Sequence, residues 1–324
     1  MTPRLPLRRR QHGAALLLAM IIVTLVATLA VSMVWQQWRA IQTETAERSR
    51  SQSAWILSGA LDWAGLILKE DARPTSTGSH LVDHLGEPWA VPLAEARLST
   101  FLAADKDNTD DSPDAFLSGS ITDAQSRFNL HNLVDDKGQV SAVDLAALRR
   151  LCDNLNVAAS VADLLANGLK NANTPPGTPG APLDPPLAPK RVSQLTWLGV
   201  DPQALQRLEP YIVLLPERTT VNINTAAREV IAAVIPGLNV GDAERLIQYR
   251  QRTPFKKQQD IQAQLPAMTV QELQGVDVMS RYFEVRGRLR LSERVLEQRS
   301  LIERNQRVIT VLSSERISSN DSGR

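Results

Sequence analysis

From Ala14 to Val34 the chain runs for 21 residues without a charged side chain. As a helix that stretch rises roughly 31 Å, the thickness of a bilayer's hydrocarbon core. A secretory signal has an apolar region of about 7–15 residues and then a small-x-small cleavage site. The run here is too long for that pattern. Its far end, Met33-Val34-Trp35-Gln36-Gln37-Trp38-Arg39, puts two tryptophans and a cation where a helix leaves the bilayer. Arg4, Arg8, Arg9 and Arg10 precede it and place the N-terminus on the cytoplasmic side, with the rest of the chain across the membrane. On these residues alone the segment is an ordinary N-terminal anchor.

Residues 38–70 point to more than an anchor. No proline occurs from Trp38 to Glu70, and only Gly59 and Gly65 interrupt the run. Leu57, Leu61, Ala64 and Leu68 recur at helical spacing, so one face can pack on a globular body. The spacing predicts one helix of about 55 residues, half in lipid and half on a domain, stopped by Asp71-Ala72-Arg73-Pro74.

A basic leader ending in Gly13, an apolar helix starting at once and an amphipathic continuation resemble a type IV prepilin or a type II secretion pseudopilin. The resemblance implies cleavage after Gly13 by a prepilin peptidase and methylation of the new N-terminus, Ala14. That family has glutamate as the fifth mature residue. Leu18 stands there instead, and this departure is similar to the K-type minor pseudopilin. Asp123-Ala124-Gln125-Ser126-Arg127-Phe128-Asn129-Leu130 resembles the segment D-x-Q-x-R-F-N-L-N of the same family, with His131 for the final asparagine and Asn132 after it.

A carboxylate at the depth of Leu18 costs roughly 2.5–3.5 kcal/mol unless a partner answers it. In pilins the partner is the N-terminal amine of the neighbour already in the filament. A subunit that enters first has no such neighbour, so leucine is the cheaper residue. The amine of Ala14 then stays available to the next subunit's glutamate.

Composition agrees with an exported, tethered protein. The 36 basic and 35 acidic residues leave a net charge of +1, no pull toward nucleic acid. The 324 residues call for two lobes beyond the helix. Cys152 is the only cysteine, so no internal disulfide forms, and its place among Leu148, Leu151 and Leu155 predicts a buried thiol.

Past the helix (35–72 after the membrane half, 14–34), residues 73–134 read as pilin-like strands and loops. Here "EPWAVPL" (87–93) and "FLSGSITDAQSRFNLHNL" (116–133) are strands and turns. From Ser141 the period changes to helical, with Ser141 as cap and Leu145, Leu148, Leu151 and Leu155 on one face. "AASVADLLANGL" is a second helix; a loop with seven prolines between Thr174 and Lys190 comes next. "VSQLTWLGVDPQALQRLEPYIVLLP" gives two short helices, the second starting at Asp201-Pro202. Residues 135–276 are thus an inserted α-helical domain. Residues 277–324 carry "RYFEVRGRLRL", "RVLEQRSLIER" and "QRVITVLSSER", an antiparallel meander of three strands. In the first, Phe283, Val285, Leu289 and Leu291 face the core, and Tyr282, Glu284, Arg286, Arg288 and Arg290 face water. The fold class expected is α+β, a type IV pilin-like N-terminal helix on a small antiparallel sheet with a large helical insertion.

Within the insertion, Asn224 or Thr225 is placed to cap a helix with Ile231 and Val234 inward. Pro236-Gly237-Leu238-Asn239 turns the chain, and Ala243, Leu246 and Ile247 begin the return helix. This resembles a helix-hairpin-helix, a unit often used on DNA. Asn239 takes the place of its usual second glycine, and Lys256 and Lys257 are the only basic doublet nearby. The unit is expected to be scaffold.

Metal readings are weak. "DKDNTDDSPD" (105–114) lacks the glycine and glutamate of an EF-hand, having Asp110 and Phe116 at those places, and reads as a solvated loop. The family resemblance implies calcium in an acidic loop of the helical domain, but the matching loop keeps only Asp163 and Asp184. His80 and His84, with Asp83, find no third ligand at a recognised spacing. No metal or other cofactor is expected. No Gly-x-Ser-x-Gly, phosphate loop or Cys-His pairing appears, so no catalytic residue is nominated and the chain is not an enzyme.

The resemblance therefore implies a minor pseudopilin at the tip of the type II secretion pseudopilus. It would lie in the bacterial inner membrane as a single pass with a periplasmic C-terminal domain. Its partners would be the I- and J-type minor pseudopilins, the major pseudopilin, prepilin peptidase, the inner-membrane assembly platform and lipid, without nucleic acid. The alternative is a membrane-anchored helix-hairpin-helix DNA-binding protein of the competence type.

Overall fold

The computed structural model describes residues 12–73, 82–98, 115–175, 177, 182–291 and 294–317. The chain divides into two compact units, one ending at Ile56 and one from Leu57 onward. Helix α1, His12–Asp71, supplies residues to both.

In the second unit Leu57, Ala64 and Leu68 are buried, as their spacing predicts. Ala64 and Leu68 pack with Trp89, Phe283, Val285 and Ile302 in one cluster. Trp89 meets Phe283 edge-on, 5.3 Å between centroids. Residues 87–93 are not a strand. Pro88 and Pro92 have no N–H to give a ladder, and the chain makes a 3-10 turn at Pro88–Ala90 before strand β1, Leu93–Arg97. Strand β2 is Ala115–Asp123.

The helical insertion leaves the sheet at the end of β2. A two-residue strand β3 (Phe128–Asn129) runs parallel to β4 (Ile212–Val213), and β5 (Val221–Asn222) runs parallel to β6 (Val276–Asp277). Helix α2, Ala142–Asn154, starts as expected on Ser141, whose side chain accepts from the Asp144 N–H. Helix α3 is Ser160–Asn173, and a 3-10 turn, Val192–Leu198, comes after the proline loop. Helix α4, Pro202–Leu208, is capped by Asp201.

Helix α5 runs Arg228–Val234, with Ala227 as its cap and no side-chain cap bond. The expected caps, Asn224 and Thr225, are three and two residues too early. Thr225 donates instead to Asp123, and the Asn224 side chain bonds the Phe255 backbone. Helices α6 (Val240–Arg252) and α7 (Gln258–Gln264) complete the domain. Leu148, Leu151, Cys152, Ile231 and Leu246 share its single core.

Strands β7 (Tyr282–Leu291), β8 (Arg294–Asn305) and β9 (Val308–Ile317) form the expected meander and join the others in the order β1-β2-β7-β8-β9, all antiparallel. Gly119 faces Gly287 across β2 and β7. A Cβ on Gly119 would lie 2.8 Å from the Arg286 carbonyl oxygen, and one on Gly287 would meet Leu57 Cδ2 at 3.3 Å. Gly287 thus leaves room for Leu57 of α1 on the sheet, and Gly119 lets β2 lie close to β7.

The wet face assigned to β7 is only half wet. Arg286 and Arg288 are exposed, but Tyr282 and Glu284 are buried. Ala124, Val213 and Leu215 pack on Tyr282, so the insertion covers the start of the strand that alternation alone leaves open. The architecture is the α+β class expected.

Candidate functional site

Two regions carry the chemistry. The first is the start of α1. A Cβ added at Gly13 would meet no side chain within 4 Å among the described residues, and Leu18 is 62% exposed in a helix whose Leu16–Val34 side chains lie open. The helix is long and apolar enough to cross a membrane. Its hydroxyls do not stand against that. Thr24 donates back to the carbonyls of Met20 and Ile21, and Thr28 to that of Leu25, each within 3.0 Å. Arg39 lies 4.2 Å over the Trp35 ring, a cation and an aromatic together at the end of the apolar run.

The second region is the junction between the sheet and the helical insertion. Its polar residues come from the segment Asp123–Leu130. Asp123 Oδ2 accepts from Thr225 Oγ1 (2.6 Å), Ser280 Oγ (2.6 Å) and Asn222 Nδ2 (2.9 Å), and its Oδ1 accepts from Gln125 N (2.7 Å). Burial pushes its carboxyl up from the ordinary range, opposed by those hydrogen bonds. Gln125 Nε2 donates to the Thr220 carbonyl, and its Oε1 accepts from Arg281 N. Asn129 Nδ2 donates to the Glu217 carbonyl, and its Oδ1 accepts from Leu215 N.

Phe128 and Leu130 enter the core of the insertion. The asparagine displaced to 132 is used as well: it donates to the Thr219 carbonyl and accepts from Thr219 N. Asp123, Gln125, Arg127 and Asn129 therefore tie residues 215–225 or 280–284 to the end of β2, while Ser126 donates to the Asp123 carbonyl within the segment.

Beside this lies a group missed in the sequence. Asp71, Asp83 and Glu87 bring carboxylate oxygens within 4.8 Å of one another. Arg304 sits among them, Nη1 at 2.7 Å from Asp71 and Nη2 on Asp83, and it also donates to the Ser280 carbonyl at 3.0 Å. The guanidinium stands where a cation would, so the cluster is an internal ion-pair network. Burial pushes Asp83 up to about 6, opposed chiefly by Arg304, and Glu87 up to about 7, opposed by the His84 N–H and the Trp89 indole. His84 is lowered by burial, and its Nε2 lies 3.9 Å from Glu87 Oε1. No spacing announces this group, because its members lie on three distant elements. His80 and residues 105–114 fall outside the described residues.

The two carboxylates that the resemblance implies for calcium are not brought together: Asp163 stands in the first turn of α3 and not in the proline loop that holds Asp184. Asp163 is paired with Arg149, and Asp184 is exposed with no second carboxylate grouped with it among the described residues. In the hairpin, Gly237 takes φ 79°, and Asn239 accepts from Asp242 N to cap α6. Arg228 pairs with Glu229 and Glu244, and Arg245 with Asp242. Two of the hairpin's cations, Arg228 and Arg245, are thus paired with carboxylates of the same unit. Cys152 is buried, and burial pushes its thiol up to about 11.

Two family models, both described as type II secretion system (T2SS) protein K, match residues 126–217 and 221–283. The chain is 29% identical over 306 residues to type II secretion system protein K of Pseudomonas aeruginosa, covering 89% of this chain and 87% of that protein. It is 26% identical over 339 residues to the protein of the same name from Pectobacterium carotovorum subsp. carotovorum, covering 95% and 97%. In fold it is similar to a chain in the crystal structure of the GspK-GspI-GspJ complex from the type 2 secretion system of enterotoxigenic Escherichia coli. The TM-score is 0.65 at 22% identity, over 85% of this chain and 99% of that one.

Proposed function

We propose that the chain is a member of the type II secretion system protein K family, a reading that the two family models and the relatives support, and that as a minor pseudopilin it starts the pseudopilus and remains at its tip. Prepilin peptidase cuts between Gly13 and Ala14 and methylates the Ala14 amine. The apolar half of α1 stays in the inner membrane with the leader side cytoplasmic and the rest periplasmic. The I- and J-type minor pseudopilins join it there, then the major pseudopilin, driven by the inner-membrane assembly platform. Its role is structural, with no catalytic step and no cofactor.

The observation that carries this reading is Leu18, an exposed apolar side chain where a pilin that docks under another needs a carboxylate. An ionised carboxylate without a partner costs roughly 2.5–3.5 kcal/mol at that depth. The first subunit has no partner above it. Its own Ala14 amine serves the next one.

The test is export of a folded reporter protein from cells lacking the chain, with and without the chain restored. Export should need it, and the I- and J-type minor pseudopilins should co-purify with it from membranes. Export at the full level without the chain would contradict the proposal.

A further inference from the structure

On the outer face of the sheet three guanidiniums converge on one carboxylate. Arg127 Nη2 and Arg286 Nε each donate to Glu284 at 2.9 Å, and Arg299 Nε lies 3.3 Å from the same group. The register of β7 and β8 sets Arg286 directly opposite Arg299, a like-charge pair that is unfavourable without an anion beside it. Glu284 supplies a single charge against three. Glu315, opposite Arg299 on β9, is already taken by Arg191 at 2.5 Å. The Nε atoms of Arg127 and Arg299 are both shielded from solvent and without a hydrogen-bond acceptor. Buried donors left open in this way are uncommon in folded proteins.

Arg127 comes from the root of the helical insertion and the other two from the sheet, so the cluster lines the crease between them. Two residues along β8 from Arg299 is Leu301, and its partner on β9 is Ser313. Both open into a cavity of about 340 Å³ whose walls include Leu130, Leu214, Leu215 and Leu312. Residues two apart on a strand share a face and stand roughly 7 Å apart. A cavity lined by leucines, with Lys190, His131 and Asn173 also on its wall, thus adjoins a surplus of guanidinium donors.

We propose that this crease docks a partner protein through an acidic side chain set next to a bulky apolar one. The carboxylate sits beside Glu284 on the part-exposed guanidiniums of Arg286 and Arg299, whose forks match it in charge and shape. The apolar side chain enters the cavity. Charge selects an acidic partner over a basic one, and the cavity selects a segment that also carries an apolar anchor over a plain anion.

The test uses the full chain in detergent micelles and a fluorescent peptide of alternating glutamate and leucine, followed by anisotropy. Alternating Glu-Ser and Lys-Leu peptides and inorganic phosphate serve as the other probes. The Glu-Leu peptide should bind about tenfold tighter than either other peptide, and about tenfold more weakly when salt is raised from about 50 to about 500 mM. Arg286→Gln with Arg299→Gln should weaken it about tenfold, whereas Arg228→Gln, whose partners lie in the hairpin, should leave it unchanged. Ser313→Trp, which keeps every arginine and fills the cavity, should weaken the Glu-Leu peptide alone. If the double variant does not fold, the ranking of probes on the wild type and the Ser313→Trp result decide the matter. Phosphate binding with no preference for Glu-Leu over Glu-Ser would make this a small-anion site and overturn docking. Failure of the folded wild type to bind the Glu-Leu peptide would overturn it outright.

Discussion

Arg304 on β8 holds Asp71, the last residue of α1, through a 2.7 Å ion pair, and its other terminal nitrogen grips Asp83. One guanidinium, 1% exposed, thereby fastens the end of the helix to the sheet. It also lies 4.6 Å from the centre of the Phe283 ring, so the charge is packed as well as paired.

Removing one member of a buried pair strands the other, at a cost of about 3–5 kcal/mol. Arg304→Met keeps much of the volume and leaves Asp83 with only the Ser280 N–H. Urea unfolding of the full chain in detergent should show a loss of that order. Arg304→Met with Asp83→Asn should recover part of it. A single variant as stable as the wild type would mean that the helix end is held by apolar packing alone.

The same cluster sets a pH dependence. Burial, with repulsion from Asp71 and Asp83, raises Glu87 from 4.5 to about 7 in the folded chain, and Asp83 goes from 3.8 to about 6. Folded-state carboxyls with raised values hold protons more tightly than unfolded ones. The stability they give is whole below the unfolded values and is lost as pH rises through about 6 and 7. His84, lowered by burial, acts in the opposite sense as it becomes charged at low pH. Glu87→Gln cannot titrate, so its melting temperature should gain on the wild type as pH rises from 5 to 8. Parallel melting curves for the two proteins across that range would refute the assignment.

These two predictions rest on residues the sequence does not announce, and the reason is physical. Helix α1 is legible because Leu57, Ala64 and Leu68 repeat at its own period. The meander is legible because Phe283, Val285 and Leu289 alternate and are buried. The burial of Tyr282 and Glu284 is not, because it depends on Val213 and Leu215, which arrive from another part of the chain. Asn224 looks like a cap by type and position. It instead binds Phe255, donating to its carbonyl and accepting from its N–H, which no local pattern reveals. Arg304 sits in a polar strand like any surface arginine, and only the fold shows it buried.

Asp123 offers a second measure of the junction. Among the described residues four donors end on it and no cation pairs with it. Asp123→Ala leaves them without an acceptor, at about 1–3 kcal/mol for each one that stays dry. The variant should unfold at markedly lower urea, with Asp123→Asn less affected because its carbonyl still accepts. Equal stability of Asp123→Ala and wild type would remove the junction's energetic role.

Leu18 tests the place in the filament. Leu18→Ala trims an exposed apolar side chain and should leave reporter export nearly unchanged. Leu18→Glu should be tolerated or mildly harmful, since the carboxyl can stay protonated or draw in water. Blocking the Ala14 amine should be worse, because the next subunit's glutamate then loses its counter-charge. Abolished export with Leu18→Ala, beside normal export with a blocked Ala14, would rule out the first-subunit position.

The most direct measurement is the intact mass of the protein recovered from membranes, with prepilin peptidase present and absent. With the peptidase, the chain should begin at Ala14 and carry one added methyl group, and Gly13→Ala should accumulate uncut. Without it, the mass should be that of the chain from Met1. A chain that keeps Met1 in the presence of the peptidase, or one cut beyond Val34, would contradict the account at its base.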